Sequence, residues 1–118
     1  MGSLNLVQLI GCLGDDPKVE HLLTGGVKVT LSLATTKKAF ITQSGSVIPE
    51  KTEWHRIIVW GRMAENLERY AKKGMLLYVQ GELTSRSFEK DGQTHWITEI
   101  QCLSFQFLDK KQNVNEES

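Results

Sequence analysis

Aromatic side chains stand beside basic ones at several points in this sequence. Nucleobases stack on aromatic rings for about 1–3 kcal/mol each, and basic side chains neutralise phosphates. Every base has a π-face, so stacking does not select a base sequence. The pattern therefore predicts non-specific contact with a single-stranded nucleic acid. The candidate contacts are Phe40, Trp54, Trp60, Phe88 and Trp96 among the aromatic residues and Lys37, Lys38, Arg56, Arg62, Lys73, Arg86 and Lys90 among the basic ones.

Residues 53–60 predict a β-strand with two unlike faces. Side chains alternate across a strand, so Trp54 and Trp60 share one face with Arg56 and Ile58. The other face carries Glu53, His55, Ile57 and Val59. A face that holds Trp and Arg is unusual for a core and suits a stacking floor for bases. The alternatives stay open at this point: aromatic strand residues can belong to a core, and any one lysine can simply be solvated.

Residue patterns typical of catalysis are absent from the sequence. It contains no glycine-rich phosphate loop, no nucleophile elbow and no pair of His or Cys at metal-ligand spacing. The histidines His21, His55 and His95 are scattered, and Asp15 and Asp16 precede a proline in a predicted turn. The sequence therefore predicts a protein that is not an enzyme and that needs no metal or cofactor.

Composition indicates one ordinary globular domain. The chain has 118 residues, of which 40% are hydrophobic and 24% charged, and the 14 basic residues balance the 14 acidic ones. No apolar run has membrane-spanning length and no leader is evident at the start, so a cytoplasmic location, associated with the nucleoid, is expected. Cys12 and Cys102 lie in apolar runs and are interpreted as small buried thiols rather than a disulfide.

The elements that position these residues are mostly strands. Strands are predicted over residues 4–13, 27–35, 53–60, 75–83 and 96–108, with a hairpin turn at Asp91-Gly92. Residues 37–51 predict a long connection or a loose hairpin, and residues 63–73 a helix with Lys72 and Lys73 in its last turn. This order predicts an all-β protein with one helix: an OB fold, a five-stranded Greek-key barrel with the helix between strands three and four.

Several runs of residues resemble the bacterial single-stranded DNA-binding protein family. They are LIGCLGDDP at 9–17, LSLAT at 31–35, TEWHRIIVWG at 52–61 and GMLLYVQGEL at 74–83. The resemblance covers residues 5–107 and implies a homo-oligomer, usually a homotetramer, that wraps single strands in DNA replication, recombination and repair. It implies that aromatic residues at Phe40, Trp54, Trp60 and Phe88 stack on bases, with weaker stacking where Phe replaces Trp. It also implies subunit contacts at His55 and Tyr78.

The last ten residues depart from that family pattern. The resemblance implies a flexible linker and an acidic tip that recruits replication and repair enzymes, whereas residues 109–118 read as a short, polar and disordered end to a domain over residues 1–108. Recruitment of such enzymes is therefore not expected. Two alternatives to DNA binding stay open, namely a primosome-type OB-fold module that mainly contacts proteins, and RNA as the ligand, because stacking does not inspect the sugar.

Overall fold

The computed structural model describes residues 2–109. These residues form eight strands and one helix. In chain order they are β1 (Val7–Leu13), β2 (Lys18–His21), β3 (Val27–Lys37), β4 (Phe40–Ile41), β5 (Val47–Ile48), β6 (Lys51–Trp60), α1 (Gly61–Tyr70), β7 (Leu76–Lys90) and β8 (Gln93–Phe107).

Five of the strands close into a barrel. β1 pairs with β7, β7 with β8, β8 with β6, β6 with β3, and β3 returns to β1; only the β6–β8 pairing is parallel among those described. The short β2 extends the sheet beyond β3. Helix α1 follows the third barrel strand and precedes the fourth, so the predicted OB-fold class, strand count and helix position are confirmed.

The core fills the inside of this barrel. Along β3 the residues alternate, with Val29, Leu31 and Leu33 buried and the residues between them partly exposed. Ala64 and Leu67 of α1 join the same cluster. Each fully buried aliphatic side chain contributes about 1.5–3 kcal/mol relative to exposure, so this cluster is the main source of stability.

Two glycines allow the barrel to close. A Cβ on Gly11 would clash with the carbonyl oxygen of Ala34, where β1 meets β3, and a Cβ on Gly81 would clash with the carbonyl oxygen of Gln101, beside a bulge in the β7–β8 pairing. Both positions therefore need the absence of a side chain, because the neighbouring strand approaches too closely for one.

The helix bounds differ from the prediction. Helix α1 ends at Tyr70, so Lys72 and Lys73 lie in the turn after it rather than in its last turn. The backbone N–H of Lys73 donates to the Asp16 carboxylate at 2.8 Å, and that of Gly74 donates to the carbonyl of Leu13 at 2.8 Å. These hydrogen bonds hold residues 73 and 74 against the end of β1 and the turn after it. The helical spacing of apolar residues cannot predict them, because they join segments remote in the sequence.

The strands also extend further than predicted. β7 and β8 run past the barrel as a two-stranded arm to the turn at Asp91-Gly92, as the backbone of Gly92 with φ +75° allows. Strand β2 was not predicted, and the connection over residues 37–51 contains the small hairpin β4–β5, which fits the predicted loose hairpin. The predicted polar end falls outside the described residues, apart from Asp109, whose carboxylate accepts the N–H of Leu76 at 3.2 Å.

The two cysteines have different environments. Both are free, and Cys102 is buried as predicted, with the pKa of its thiol raised to about 11 by burial. The prediction for Cys12 was wrong, because its side chain is on the exposed side of β1. Within residues 2–109, no helix is both long and apolar enough to cross a membrane.

Candidate nucleic-acid interface

Strand register gathers the candidate residues of four strands on one side of the barrel wall. Directly opposed residues in neighbouring strands point to the same side of a sheet. Lys28 opposes Trp60, Ile58 opposes Gln101, and Phe88 opposes His95. We call this side, which points away from the core, the outer face. It comprises Lys28, Trp54, Arg56, Ile58, Trp60, Arg86, Phe88, His95, Glu99 and Gln101.

The predicted division of β6 into two faces is correct. Ile57 and Val59 are buried in the barrel core, and His55 is half-buried on their side. Trp54 and Trp60 are exposed on the opposite side, and Ile58 between them is buried but outside the core cluster. The tryptophans are therefore surface residues of the outer face and not core residues.

The indole ring of Trp54 rests against the backbone on one side and is exposed to solvent elsewhere. Trp54 is 61% exposed, and its six-membered ring lies against Gly14, where a Cβ would clash with it. The Gly14 N–H donates to the carbonyl of Ser32 at 2.9 Å, which holds this segment against β3. The backbone thus supports the indole while most of its surface remains available for a stacked base.

Trp60 is held by polar contacts. Its Nε1–H donates to Oε1 of Gln101 at 2.9 Å, and Nζ of Lys28 lies 5.3 Å from its ring centroid, within cation–π range. These contacts orient the indole, which stays 47% exposed. Trp60 is also the residue before α1, so the helix start fixes its backbone.

Between the tryptophans and the arm, two arginines share one carboxylate. The Nε–H of Arg56 donates to Oε2 of Glu99 at 2.6 Å, and that of Arg86 donates to Oε1 at 3.0 Å. The hydrogen bond from Arg86 is the main cause of a lowered pKa of Glu99, and the hydrogen bond from Arg56 adds to it, although burial acts in the opposite direction. The pairing with Glu99 also raises the pKa of Arg86. Arg56 and Arg86, predicted as phosphate partners, are therefore both ion-paired within the protein.

The arm carries its aromatic residues on two sides. Phe88 stacks on His95, with ring centroids 5.4 Å apart and planes 21° from parallel, on the outer face. Trp96 opposes Ser87 and so points to the other side of the arm from Phe88. Lys90 lies at the tip, opposite Gln93. The register therefore groups Phe88 with Trp54 and Trp60, but not Trp96.

The other predicted contacts lie outside the outer face. Phe40 opposes Ile48 in the β4–β5 hairpin, and Lys37 and Lys38 are exposed where β3 leads into that hairpin. Arg62 lies in the first turn of α1, beside a surface cavity that Glu65 and Arg69 also line. Lys73 follows the helix, tied through its backbone to Asp16 near the Gly14 support of Trp54.

His55 and Tyr78, the predicted subunit contacts, both make hydrogen bonds. The Nε2 of His55 lies 2.9 Å from the hydroxyl of Thr35. The Tyr78 hydroxyl accepts from the side-chain amide of Gln8 at 3.0 Å and donates to Oε1 of Gln80 at 2.7 Å. Tyr78 opposes Ile10, an exposed aliphatic residue of β1.

Sequence reasoning missed four residues of this surface. Gly14, Lys28, Glu99 and Gln101 each contact a predicted residue, but each contact joins different strands or a strand and a turn. The sequence marks Glu99 only as the one acidic residue between Trp96 and Leu108. Among the described residues, no group of three or more His, Cys, Asp or Glu side chains is placed to hold a metal ion.

A small five-stranded barrel with exposed, supported aromatic rings on one wall defines the class of OB-fold binding proteins. The family model described as the single-strand binding protein family matches residues 4–108. The chain belongs to this family, whose description names a binding activity and no reaction.

Known proteins resemble the chain over most of its length. The Single-stranded DNA-binding protein 1 of Xylella fastidiosa is 43% identical over 117 residues, which are 98% of this chain and 85% of that protein. The single-stranded DNA-binding protein of Bacteroides thetaiotaomicron is 40% identical over 110 residues, 92% of this chain and 68% of that protein. The solved complex of the Plasmodium falciparum SSB with single-stranded DNA superposes with a TM-score of 0.83 at 34% identity, covering 92% of this chain and 98% of that one.

Proposed function

We propose that this protein binds single-stranded DNA without sequence preference and keeps single strands from re-pairing and from nucleases. The observation that carries the proposal is the arrangement of Trp54 and Trp60 on one wall of the barrel as exposed rings, the first supported by the backbone at Gly14 and the second by a hydrogen bond to Gln101. Preorganised rings cost little entropy on binding, so stacking on them is effective.

The strand follows the outer face from the tryptophans to Phe88 on the arm. Bases stack on Trp54, Trp60 and Phe88, while the exposed lysines supply charge to the phosphates. Lys37 and Lys38 act with Phe40 where the strand reaches the β4–β5 hairpin, and Lys90 acts at the tip of the arm. Three predicted contacts lie off the outer face, namely Arg62, Lys73 and Trp96. They can contact the DNA only where the strand continues around the barrel beyond that face.

The protein acts as a homo-oligomer, most simply a homotetramer. Exposed aliphatic side chains lie on or beside two strands that pair with β7: Ile10 on β1, opposite Tyr78, Leu6 immediately before β1, and Leu103 on β8. Such a concentration of apolar side chains on a small domain is typical of a subunit contact. His55 contributes from β6. The oligomer serves DNA replication, recombination and repair in the cytoplasm, in association with the nucleoid.

The experiment is a titration of intrinsic tryptophan fluorescence with a mixed-sequence single-stranded oligonucleotide, its duplex and the RNA of the same sequence. We expect strong quenching by the single-stranded DNA and little by the duplex. Trp54→Ala reduces affinity by about 1–3 kcal/mol, measured independently by the anisotropy of a labelled oligonucleotide.

Tyr70→Ala is the matched control, because Tyr70 is an exposed aromatic residue on α1, away from the outer face. It should bind as the unsubstituted protein does. Absence of quenching at micromolar protein would overturn the proposal and favour the primosome-type protein-interaction module. Equal binding of RNA and DNA would remove the preference for DNA.

A further inference from the structure

Among residues 2–109, Glu99 is the only charged residue that is buried. Only 4% of its surface is exposed, although it lies on the outer face rather than in the core. A carboxylate removed from water is costly unless charged donors satisfy it. The side chains of Arg56 and Arg86 provide those donors.

The geometry uses both oxygens of the carboxylate. Oε1 accepts from Arg86 Nε, and Oε2 accepts from Arg56 Nε at 2.6 Å and from Arg86 Nη2 at 3.1 Å. The side chains of Arg56 and Arg86 nevertheless remain 40% and 48% exposed. The acid is thus covered by two bases whose remaining surfaces reach the solvent.

This trio lies between the two groups of aromatic rings. Arg56 is two residues from Trp54 along β6, and Arg86 is two residues from Phe88 along β7, spacings of roughly 7 Å on one face. Strand β8, which carries Glu99, runs between β6 and β7. In this register Arg56 and Arg86 lie between Trp60 and Phe88, so a strand of DNA that passes from Trp60 to Phe88 crosses the two guanidinium groups.

We propose that Glu99 is a positioning residue for DNA binding, which holds Arg56 and Arg86 flat on the outer face as planar stacking surfaces and withholds them from phosphates. The proposal rests on the proposed function. A carboxylate and a phosphate compete for the same guanidinium donors, so an arginine whose Nε is bound to Glu99 has fewer donors for the backbone. Hydrogen bonds to a guanidinium group lie in its plane, so a group bound in this way can still stack on a base through its face, as guanidinium groups do on π systems.

The salt dependence of binding separates stacking from phosphate contact. Each phosphate contact on a single strand contributes about 0.7 to the slope of log K against log salt concentration. In Glu99→Gln the charged acceptor is lost and the two arginines become available to phosphates. We expect the slope for an oligothymidylate to become steeper by about 0.7 to 1.4, according to whether one or both arginines are released.

Glu89→Gln is the matched control. It makes the same charge change on the arm, where Glu89 accepts from Thr94 at 2.6 Å and, among the described residues, forms no ion pair with either arginine. Its slope should equal that of the unsubstituted protein. An unchanged or shallower slope in Glu99→Gln, or an equal change in Glu89→Gln, overturns the proposal.

A second variant decides the matter if Glu99→Gln fails to fold by circular dichroism. Arg56→Lys keeps the charge but loses the planar group. We expect it to weaken binding at high salt, where stacking dominates, by several-fold. High-salt affinity equal to that of the unsubstituted protein overturns the proposal. Failure of the unsubstituted protein to bind the oligonucleotide at low salt is a separate result, which overturns the proposed function first and this inference with it.

Discussion

Gly14 lies against the indole ring of Trp54, and a Cβ at residue 14 would come within 2.6 Å of the ring atom Cη2. The glycine and the tryptophan are far apart in the sequence and meet where the turn after β1 approaches β6. The turn thus acts as the support for the most exposed ring of the β6 pair.

Gly14→Ala is therefore expected to displace Trp54 and weaken DNA binding. The added methyl group must push the ring away, because the Gly14 backbone is held to Ser32. The loss should reach about 1 kcal/mol or more, a part of the stacking contribution of one base. Anisotropy titration measures the affinity, and the emission maximum of the free protein reports the altered environment of Trp54.

Gly26→Ala is the control for this change. A Cβ at Gly26 meets only the Cδ1 atom of Leu22, at 3.5 Å, an ordinary contact. Its DNA affinity should be unaffected. If Gly14→Ala and Gly26→Ala bind equally well, the support of Trp54 by Gly14 has no role in binding.

Ile10→Glu tests the oligomer. Ile10 is 58% exposed on β1, opposite Tyr78, and a charge placed there would be buried by a subunit contact. We expect a smaller particle by sedimentation velocity, with the circular dichroism spectrum unchanged. Leu23→Glu is the matched control, because Leu23 lies fully exposed at the β2–β3 turn and should tolerate the charge. Sedimentation of Ile10→Glu as the unsubstituted protein does would refute an interface at β1.

Stability at acid pH is expected to depend on Glu99. The pKa of Glu99 is lowered below its ordinary value of 4.5 in the folded protein, chiefly by the hydrogen bond from Arg86. A carboxyl group with a lowered pKa stabilises the fold above its unfolded-state pKa, and this contribution is lost as the pH falls through the folded-state pKa. At pH 7 the free energy of unfolding in urea should therefore be higher for the unsubstituted protein than for Glu99→Gln.

That difference should shrink steadily below pH 4.5. Glu89→Gln should show no comparable pH-dependent difference, because Glu89 has no arginine partner among the described contacts. A difference between the unsubstituted protein and Glu99→Gln that stays constant down to pH 3 would contradict the pairing.

Cys102 is expected to be unreactive in the folded protein. Burial raises the pKa of its thiol to about 11, so almost no thiolate is present at pH 8. In Cys12→Ser, where Cys102 is the remaining thiol, a thiol reagent should react only after unfolding in denaturant. Rapid reaction of this variant under native conditions would show that the barrel opens at β8.

Local pattern was sufficient to predict the fold class and the sides of β6. Alternating residues in β3 and β6 put Leu33 and Ile57 inside and Trp54 outside, because the period of a strand decides which side each side chain takes. Helix α1 was predicted from its own spacing, but its end was misplaced, since hydrogen bonds to Asp16 and Leu13 draw the chain away from the helix.

The sequence by itself thus determined the five barrel strands and their succession along the chain, the helix, and the aromatic and basic residues of the candidate site. Only the tertiary structure decided which of them work together. Register between strands put Lys28 against Trp60, brought Glu99 between Arg56 and Arg86, and turned Trp96 away from Phe88. The physical reason is that composition and periodicity act within one element, whereas register depends on how the strands of the closed barrel are paired, through hydrogen bonds between residues remote in the chain.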